Sequence, residues 1–236
     1  MANNTKIEWT QSTWNPITGC TKISPGCENC YAEKMAIRLK AMRQPNYRNG
    51  FELSLHPESI SLPLAWKKPQ VIFVNSMSDI FHTKVPESFI LDVFNTMSKA
   101  YWHTFQVLTK RSKRLLDLNT ILGWRKNIWM GVSVECQDFC YRIDNLKFTD
   151  AEIKFVSFEP LLGPIGYDLS GIDWVIVGGE SGPKARKINY KWVQNLRDQC
   201  LDLDIPFYFK QWGGFNKKKN GRELCGMVWD QMPVIL

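Results

Sequence analysis

From Val71 onward the chain alternates short apolar runs with segments of helical character, and that rhythm leaves few folds open. VIFVN (71–75), TFQVLT (104–109), IWMGVSV (128–134), IKFVSF (153–158) and DWVIVGG (173–179) are apolar on both faces, as strands of a covered parallel sheet are. PFYFKQW (206–212) is a sixth run, and STWNPI (12–17) is a weaker one that Pro16 confines to a strand end or an edge. Between the runs, helices are predicted over 28–42, 86–101, 111–118, 137–146 and 189–203. On the last of these Trp192, Val193, Leu196, Cys200 and Leu203 recur at three and four residues and predict one buried stripe. Repeated βαβ units with right-handed crossovers make either a doubly wound sheet or a barrel. Two stretches fall outside the rhythm. Residues 44–70 read as an insertion in which FELSL (51–55) can pair as a short strand, and 213–236 reads as an appended turn and hairpin.

With 236 residues, 44% of them hydrophobic, the chain can bury a core without help from disulfides or metal. A metal would therefore serve chemistry. No apolar run nears the roughly 20 residues of a membrane span, and MANNTKIEWT lacks the pattern of a signal peptide, so a cytoplasmic location is expected. In a reducing compartment an odd count of seven cysteines argues against a disulfide framework. Thirty Lys and Arg against 23 Asp and Glu give a net charge of +7, which favours polyanionic partners, nucleic acid first. The basic runs TKRSKR (109–114), PKARKINYK (183–191) and KKKNGR (217–222) fit that partner and also fit ordinary solvated faces.

The segment WNPITGCTKISPGCENCYAEKMA brings Cys20, Cys27 and Cys30 into one loop between the first strand candidate and the first helix. Gly19, Pro25 and Gly26 let the backbone fold around a site, and the CxxC pair can direct two sulfurs at it. Three thiolates with no nearby fourth Cys or His suit an open site, such as a cubane iron–sulfur cluster with one free iron, better than a closed zinc site. Two other readings stand beside it: a zinc held by Cys27, Cys30, Cys136 and Cys140 in a nucleic-acid-binding module, and cysteines that bind nothing. Cys136 and Cys140 share a face of a predicted helix, where packing explains them equally well; Cys200 sits on the apolar stripe and Cys225 can be free.

The three-cysteine loop at the head of a β/α chain resembles the radical S-adenosylmethionine superfamily, and its NP…GC…GC..CYA wording is similar to the cluster loop of spore photoproduct lyase-like proteins. GCTKISPGCENCYAEKMA, FVNSMSDIFH, VGGESG and FYFKQWGG resemble, over nearly the whole chain, a family of phage and bacterial proteins with a three-cysteine motif. The chain departs from the common CxxxCxxC spacing, with six residues between Cys20 and Cys27, and Asn29 stands where an aromatic usually precedes the third cysteine, leaving Tyr31 as a substitute. The resemblance implies an α/β fold, a partial (β/α) barrel of about six parallel strands with a small C-terminal appendage. It also implies a [4Fe-4S] cluster on Cys20, Cys27 and Cys30, S-adenosyl-L-methionine as cofactor, an electron donor for the cluster, and radical chemistry. The substrate it suggests is a nucleic acid or nucleotide, with a peptide or small metabolite as the rival; a protein partner stays open.

In parallel β/α arrays ligands gather at the carboxyl ends of the strands. Polar groups recur there: Asn75, Ser76, Ser78 and Asp79; Thr109 and Lys110; Ser133 and Glu135; Ser157 and Glu159; Gly178, Gly179, Glu180 and Ser181; Lys210 and Gln211. Any one of them can simply cap a helix or turn, so only the set carries weight. By the resemblance, Asn75, Ser76, Ser78 and Asp79 would hold the methionine amino group. Ser133, Glu135, Ser157 and Glu159 would take the ribose and carboxylate, and Gly178 and Gly179 would admit the adenine. Lys110, Glu180 and Lys210 are the candidates for meeting substrate.

Overall fold

The computed structural model of the chain describes residues 2, 3, 5 and 7–234. Its strands are β1 (Ala2–Asn3), β2 (Ser12–Trp14), β3 (Ile17–Thr18), β4 (Ser54–Leu55), β5 (Val71–Val74), β6 (Thr104–Thr109), β7 (Ile128–Ser133), β8 (Lys154–Phe158), β9 (Trp174–Gly178), β10 (Phe207–Gln211), β11 (Glu223–Leu224) and β12 (Met227–Val228). The helices are α1 (Tyr31–Ala41), α2 (Glu87–Lys99), α3 (Ser112–Leu118), α4 (Tyr141–Lys147), α5 (Tyr190–Asp202) and α6 (Lys217–Asn220). One sheet runs β1-β2-β5-β6-β7-β8-β9-β10, with β1 antiparallel and the other seven strands parallel, as a half-barrel. The weak run STWNPI supplies the seventh parallel strand, which ends just before Pro16; β3 then leaves the sheet to pair with β4 from the insertion.

Alternation along the strands sorts two cores. Ile72, Val74, Val107, Met130, Val132, Val156, Val175, Val177, Phe207 and Phe209 face the helices, including α2 through Ile90, Val93 and Phe94 and α5 through Val193, Leu196 and Cys200. The opposite, helix-free face holds Phe73, Trp129, Phe155, Trp174, Ile176 and Tyr208 with Trp9 laid across them, an aromatic floor inside the half-barrel. Trp174 lies at the middle of that floor, within 6.2 Å of the Trp9, Trp129, Phe155 and Tyr208 rings. The insertion packs on the helix side, where Trp14 Nε1 donates to the Ser59 carbonyl at 2.8 Å and Trp102 Nε1 to that of Trp66 at 2.7 Å.

The C-terminal tail closes the free edge of β10, which would otherwise offer unpaired backbone groups. Tyr208 bridges Asp230 in antiparallel sense, and Phe209 N donates to the Trp229 carbonyl at 2.9 Å. The expected hairpin is β11–β12.

Three local expectations are corrected. The first helix starts at Tyr31 rather than Glu28, because Pro25–Cys27 make a 3-10 turn and Cys30 is a non-helical N-cap. The helix expected over 137–146 breaks into a 3-10 turn, Gln137–Phe139, and α4, so Cys136 and Cys140 do not share a helix face. Leu203 leaves the apolar stripe: it is the exposed C-cap of α5. Among the described residues no helix is long and apolar enough to cross a membrane.

Candidate functional site

Continuing the alternation upward from the aromatic floor puts Asn75, Ser133, Ser157, Gly178 and Lys210 on the inner face at the carboxyl ends of their strands. A polar rim therefore stands above an apolar floor. Asn75 adopts φ 58°, a left-handed conformation that asparagine tolerates, and turns the chain as its Oδ1 accepts from Ile17 N at 3.3 Å. Lys210 Nζ and Glu159 Oε2 pair at 2.8 Å across the rim; burial works to lower the Lys210 pKa, but Glu159 outweighs it and holds the ammonium above its usual range. Asn75 Nδ2, Ser157 Oγ and Glu159 Oε1 are buried and have no hydrogen-bond partner among the described residues. Buried polar atoms ordinarily find one, so a polar guest on this rim would answer a standing need.

The cysteine loop is moored over the same strand ends by three cations. Behind β6, Arg111 Nη1 donates to Cys20 Sγ at 3.5 Å and to Asp79 Oδ2 at 3.0 Å, while Nη2 reaches the Thr21 carbonyl at 3.1 Å. Asp79 also accepts from Thr109 Oγ1 at 2.7 Å, Lys110 N at 3.1 Å and Phe81 N at 3.0 Å, so its carboxylate is fully engaged. Behind β7, Arg142 pairs with Glu135 at 2.8 Å, donates to the Ser133 carbonyl at 2.7 Å and lies 4.3 Å over the Phe139 ring. The other oxygen of Glu135 accepts from Gly26 N at 3.3 Å. Behind β9, Arg186 pairs with Glu180 at 2.6 Å and reaches Glu28 at 3.1 Å and the Pro25 carbonyl at 2.9 Å, and Asn29 Nδ2 donates to Glu180 at 3.0 Å.

Cys20, Cys27 and Cys30 are all half-buried. Burial pushes the Cys20 thiol up, with Asp79 adding to the rise and Arg111 opposing it; burial also raises Cys30, which Cys27 raises further and Lys110 lowers. Cys20 thus contacts Arg111 at the end of β6, and Cys30 is within electrostatic reach of Lys110 and of Cys27. No three or more His, Cys, Asp or Glu side chains among the described residues are gathered around a point as ligands of one metal ion. Neither Cys20, Cys27 and Cys30 nor the zinc set Cys27, Cys30, Cys136 and Cys140 is gathered in that way, and Cys140 is buried in the helix-side core. A cubane makes a different demand, since each thiolate binds its own iron. Three half-buried thiols with orphaned polar atoms on the rim below fit such a group and a polar cofactor beside it.

The remaining expected site residues divide by what they touch. Ser76 Oγ donates to Asn15 Oδ1 at 3.2 Å, and its carbonyl accepts from the Tyr31 hydroxyl. Ser78 Oγ donates to the Ile17 carbonyl at 2.9 Å. Gln211 Nε2 donates to Ser181 Oγ at 2.6 Å and to the Gly179 carbonyl at 3.2 Å. Gly178 faces Glu159, whose Cγ would be 3.3 Å from an added Cβ, whereas a Cβ on Gly179 would fall 2.1 Å from the Trp212 carbonyl oxygen. Backbone contact inside the protein is therefore sufficient reason for glycine at 179. Gly179→Ala is expected to cost about 1–3 kcal/mol, read as a lowered denaturant midpoint, because backbone must shift to admit the methyl.

Sequence reasoning missed the three moorings. Arg111 and Arg186 lay in basic runs that resembled solvated surface, yet Arg111 is turned inward, as is Arg114, which donates to the His82 and Val85 carbonyls. Arg142 stood within the apolar periodicity of α4. The available signal was position: Arg111 follows a strand end by two residues, where a solvated cation has no special reason to be.

The Glu180 lock titrates. Burial tends to raise its pKa, but hydrogen bonds from Arg186 and Asn29 outweigh burial and hold the carboxyl below its usual range. Its stabilisation is therefore complete above the ordinary glutamate value, about 4.3, and is lost as the pH falls through the depressed folded value. Hydrogen-exchange protection across 25–30, taken relative to the intrinsic rate at each pH, is expected to fall in acid, and Glu180→Gln is expected to show low protection already at neutral pH with that acid dependence flattened.

A family model described as "Protein of unknown function (DUF5131)" matches residues 4–233, and the chain belongs to that family. Comparison with functionally curated proteins gave no match. Among solved structures, "Spore photoproduct lyase complexed with dinucleoside spore photoproduct" overlaps with a TM-score of 0.43 and 10% sequence identity, covering 82% of this chain and 53% of that one. The chain spans about half the length of that protein.

Proposed function

We propose that the chain is a radical S-adenosylmethionine enzyme in which Cys20, Cys27 and Cys30 hold a [4Fe-4S] cluster over the open end of the half-barrel. The observation that carries this reading is the mooring of the three-cysteine loop above a rim whose Asn75, Ser157 and Glu159 keep buried polar atoms without partners. When bound, the cluster and S-adenosylmethionine would supply reductive radical chemistry able to take hydrogen from an unreactive carbon.

The protein's part is to bind, orient and exclude water. Asn75 Nδ2 offers a donor, and Ser157 and Glu159 offer oxygens, to the polar ends of the cofactor. Asp79, Glu135 and Glu180 act one step back, by holding the loop. Of the three groups proposed to meet substrate, Lys110 and Lys210 stay on the rim, while Glu180 is committed to Arg186. The aromatic floor closes the bottom of the half-barrel against solvent. The net charge of +7 supports a nucleic acid or nucleotide as substrate. Protein purified without oxygen should be brown, carry about four irons with matching sulfide, and release 5′-deoxyadenosine from S-adenosylmethionine when reduced. An intact cluster that never cleaves the cofactor would remove the assignment.

A further inference from the structure

The first helix is exposed over most of its surface: among its eleven residues only Ala32 and Ala36 are buried. Tyr31, Lys34, Met35, Arg38 and Met42 recur at three and four residues, so they form one stripe in which cations alternate with apolar side chains, all exposed. Neither Lys34 nor Arg38 has a carboxylate partner among the described residues, because the one acid of the helix, Glu33, pairs with Lys22. The stripe begins at the mouth, where the Tyr31 hydroxyl donates to the Ser76 carbonyl.

A second basic run joins it there. Lys34 Nζ lies against Gly182, 3.6 Å from where a Cβ would stand, and the Lys184 carbonyl accepts from Asn29 Nδ2 at 3.1 Å. Exposed Lys184 and Lys187 thus flank the cysteine loop from the other side.

We infer that this rim, Tyr31, Lys34, Met35 and Arg38 with Lys184 and Lys187, is a docking track for a single-stranded nucleic acid whose backbone leads one nucleotide into the half-barrel. The inference rests on the enzyme reading only for what the strand is there to do. A small anionic substrate would need cations inside the rim, where Lys110 stands and Lys210 is paired with Glu159, and would leave a track outside it without purpose. Eleven helical residues extend about 16 Å, a length suited to a polymer. The alternation of charge with flat or flexible apolar groups matches phosphates alternating with base faces. An enclosed site can receive a base only when it is unpaired, which favours a single strand over a duplex.

Anisotropy of a labelled single-stranded oligonucleotide, with duplex and anionic phospholipid vesicles as competitors, tests this on full-length protein with and without its cluster. The combined variant Lys34→Glu, Arg38→Glu, Lys184→Glu should bind roughly tenfold more weakly or worse and show a shallower salt dependence. Lys99→Glu, at the end of α2 on the helix side, should bind as the parent does. Equal binding by the rim variant, or displacement by vesicles or duplex in preference to single strand, would overturn the track. Iron content and substrate-free release of 5′-deoxyadenosine are read on the same samples. If they persist while the track fails, the enzyme reading survives alone. Rim-dependent binding without a cluster leaves the track standing alone.

Discussion

Replacing Cys20, Cys27 or Cys30 singly with Ala is expected to take protein purified without oxygen from about four bound irons to nearly none, with loss of its visible absorbance and of cofactor cleavage. In the proposed cluster each thiolate would serve a different iron, so two remaining sulfurs would not retain the cube. The other four cysteines give the contrast. Cys136→Ala and Cys225→Ala should keep both iron and turnover: Cys136 sits beyond β7, and Cys225 lies in the tail hairpin with its sulfur 2.9 Å from Arg197 Nη1. Cys140 and Cys200 are buried among apolar side chains, so their loss should lower thermal stability with iron unchanged. Iron lost in Cys136→Ala and kept in Cys20→Ala would move the centre to a different set of ligands.

The strands were legible because a sheet covered on one face by helices and on the other by an aromatic floor needs unbroken apolar runs, and Thr104–Thr109 has the predicted limits. The cysteine loop was legible as a composition of thiols and turn residues. Its moorings were not, because Arg111 and Arg186 reach the loop across 91 and 161 residues and Glu135 across 109, and no local period encodes such partners. A cation in a basic run looks the same in sequence whether it faces water or clamps a loop. The break between Gln137–Phe139 and α4 was hidden as well, in a segment where Arg142 pairs back to Glu135 at the end of β7. Cofactor-contact expectations at Asp79 and Glu135 named residues that matter in the structure through the loop they hold.

Glu135→Ala should have the largest effect on folding stability. Both partners of the Glu135–Arg142 pair are essentially inaccessible, at 0% and 1% side-chain exposure, so removing the carboxylate strands a guanidinium with the Ser133 carbonyl and the Phe139 and Tyr141 rings but no counter-charge. Breaking such a pair costs about 3–5 kcal/mol, which for a chain of this size lowers the melting temperature by roughly 10 °C. The double change Glu135→Leu with Arg142→Met should recover much of that loss, since apolar groups of similar volume avoid the desolvation of two charges. It should not recover the loop: Gly26 N still lacks its acceptor, so hydrogen exchange across 24–30 and iron loss should stay high while the melting temperature returns. If global stability and loop order return together, Glu135 serves the core alone; if they separate, the buried pair holds the cysteines over the strand ends at the expense of a core that could be more stable without it.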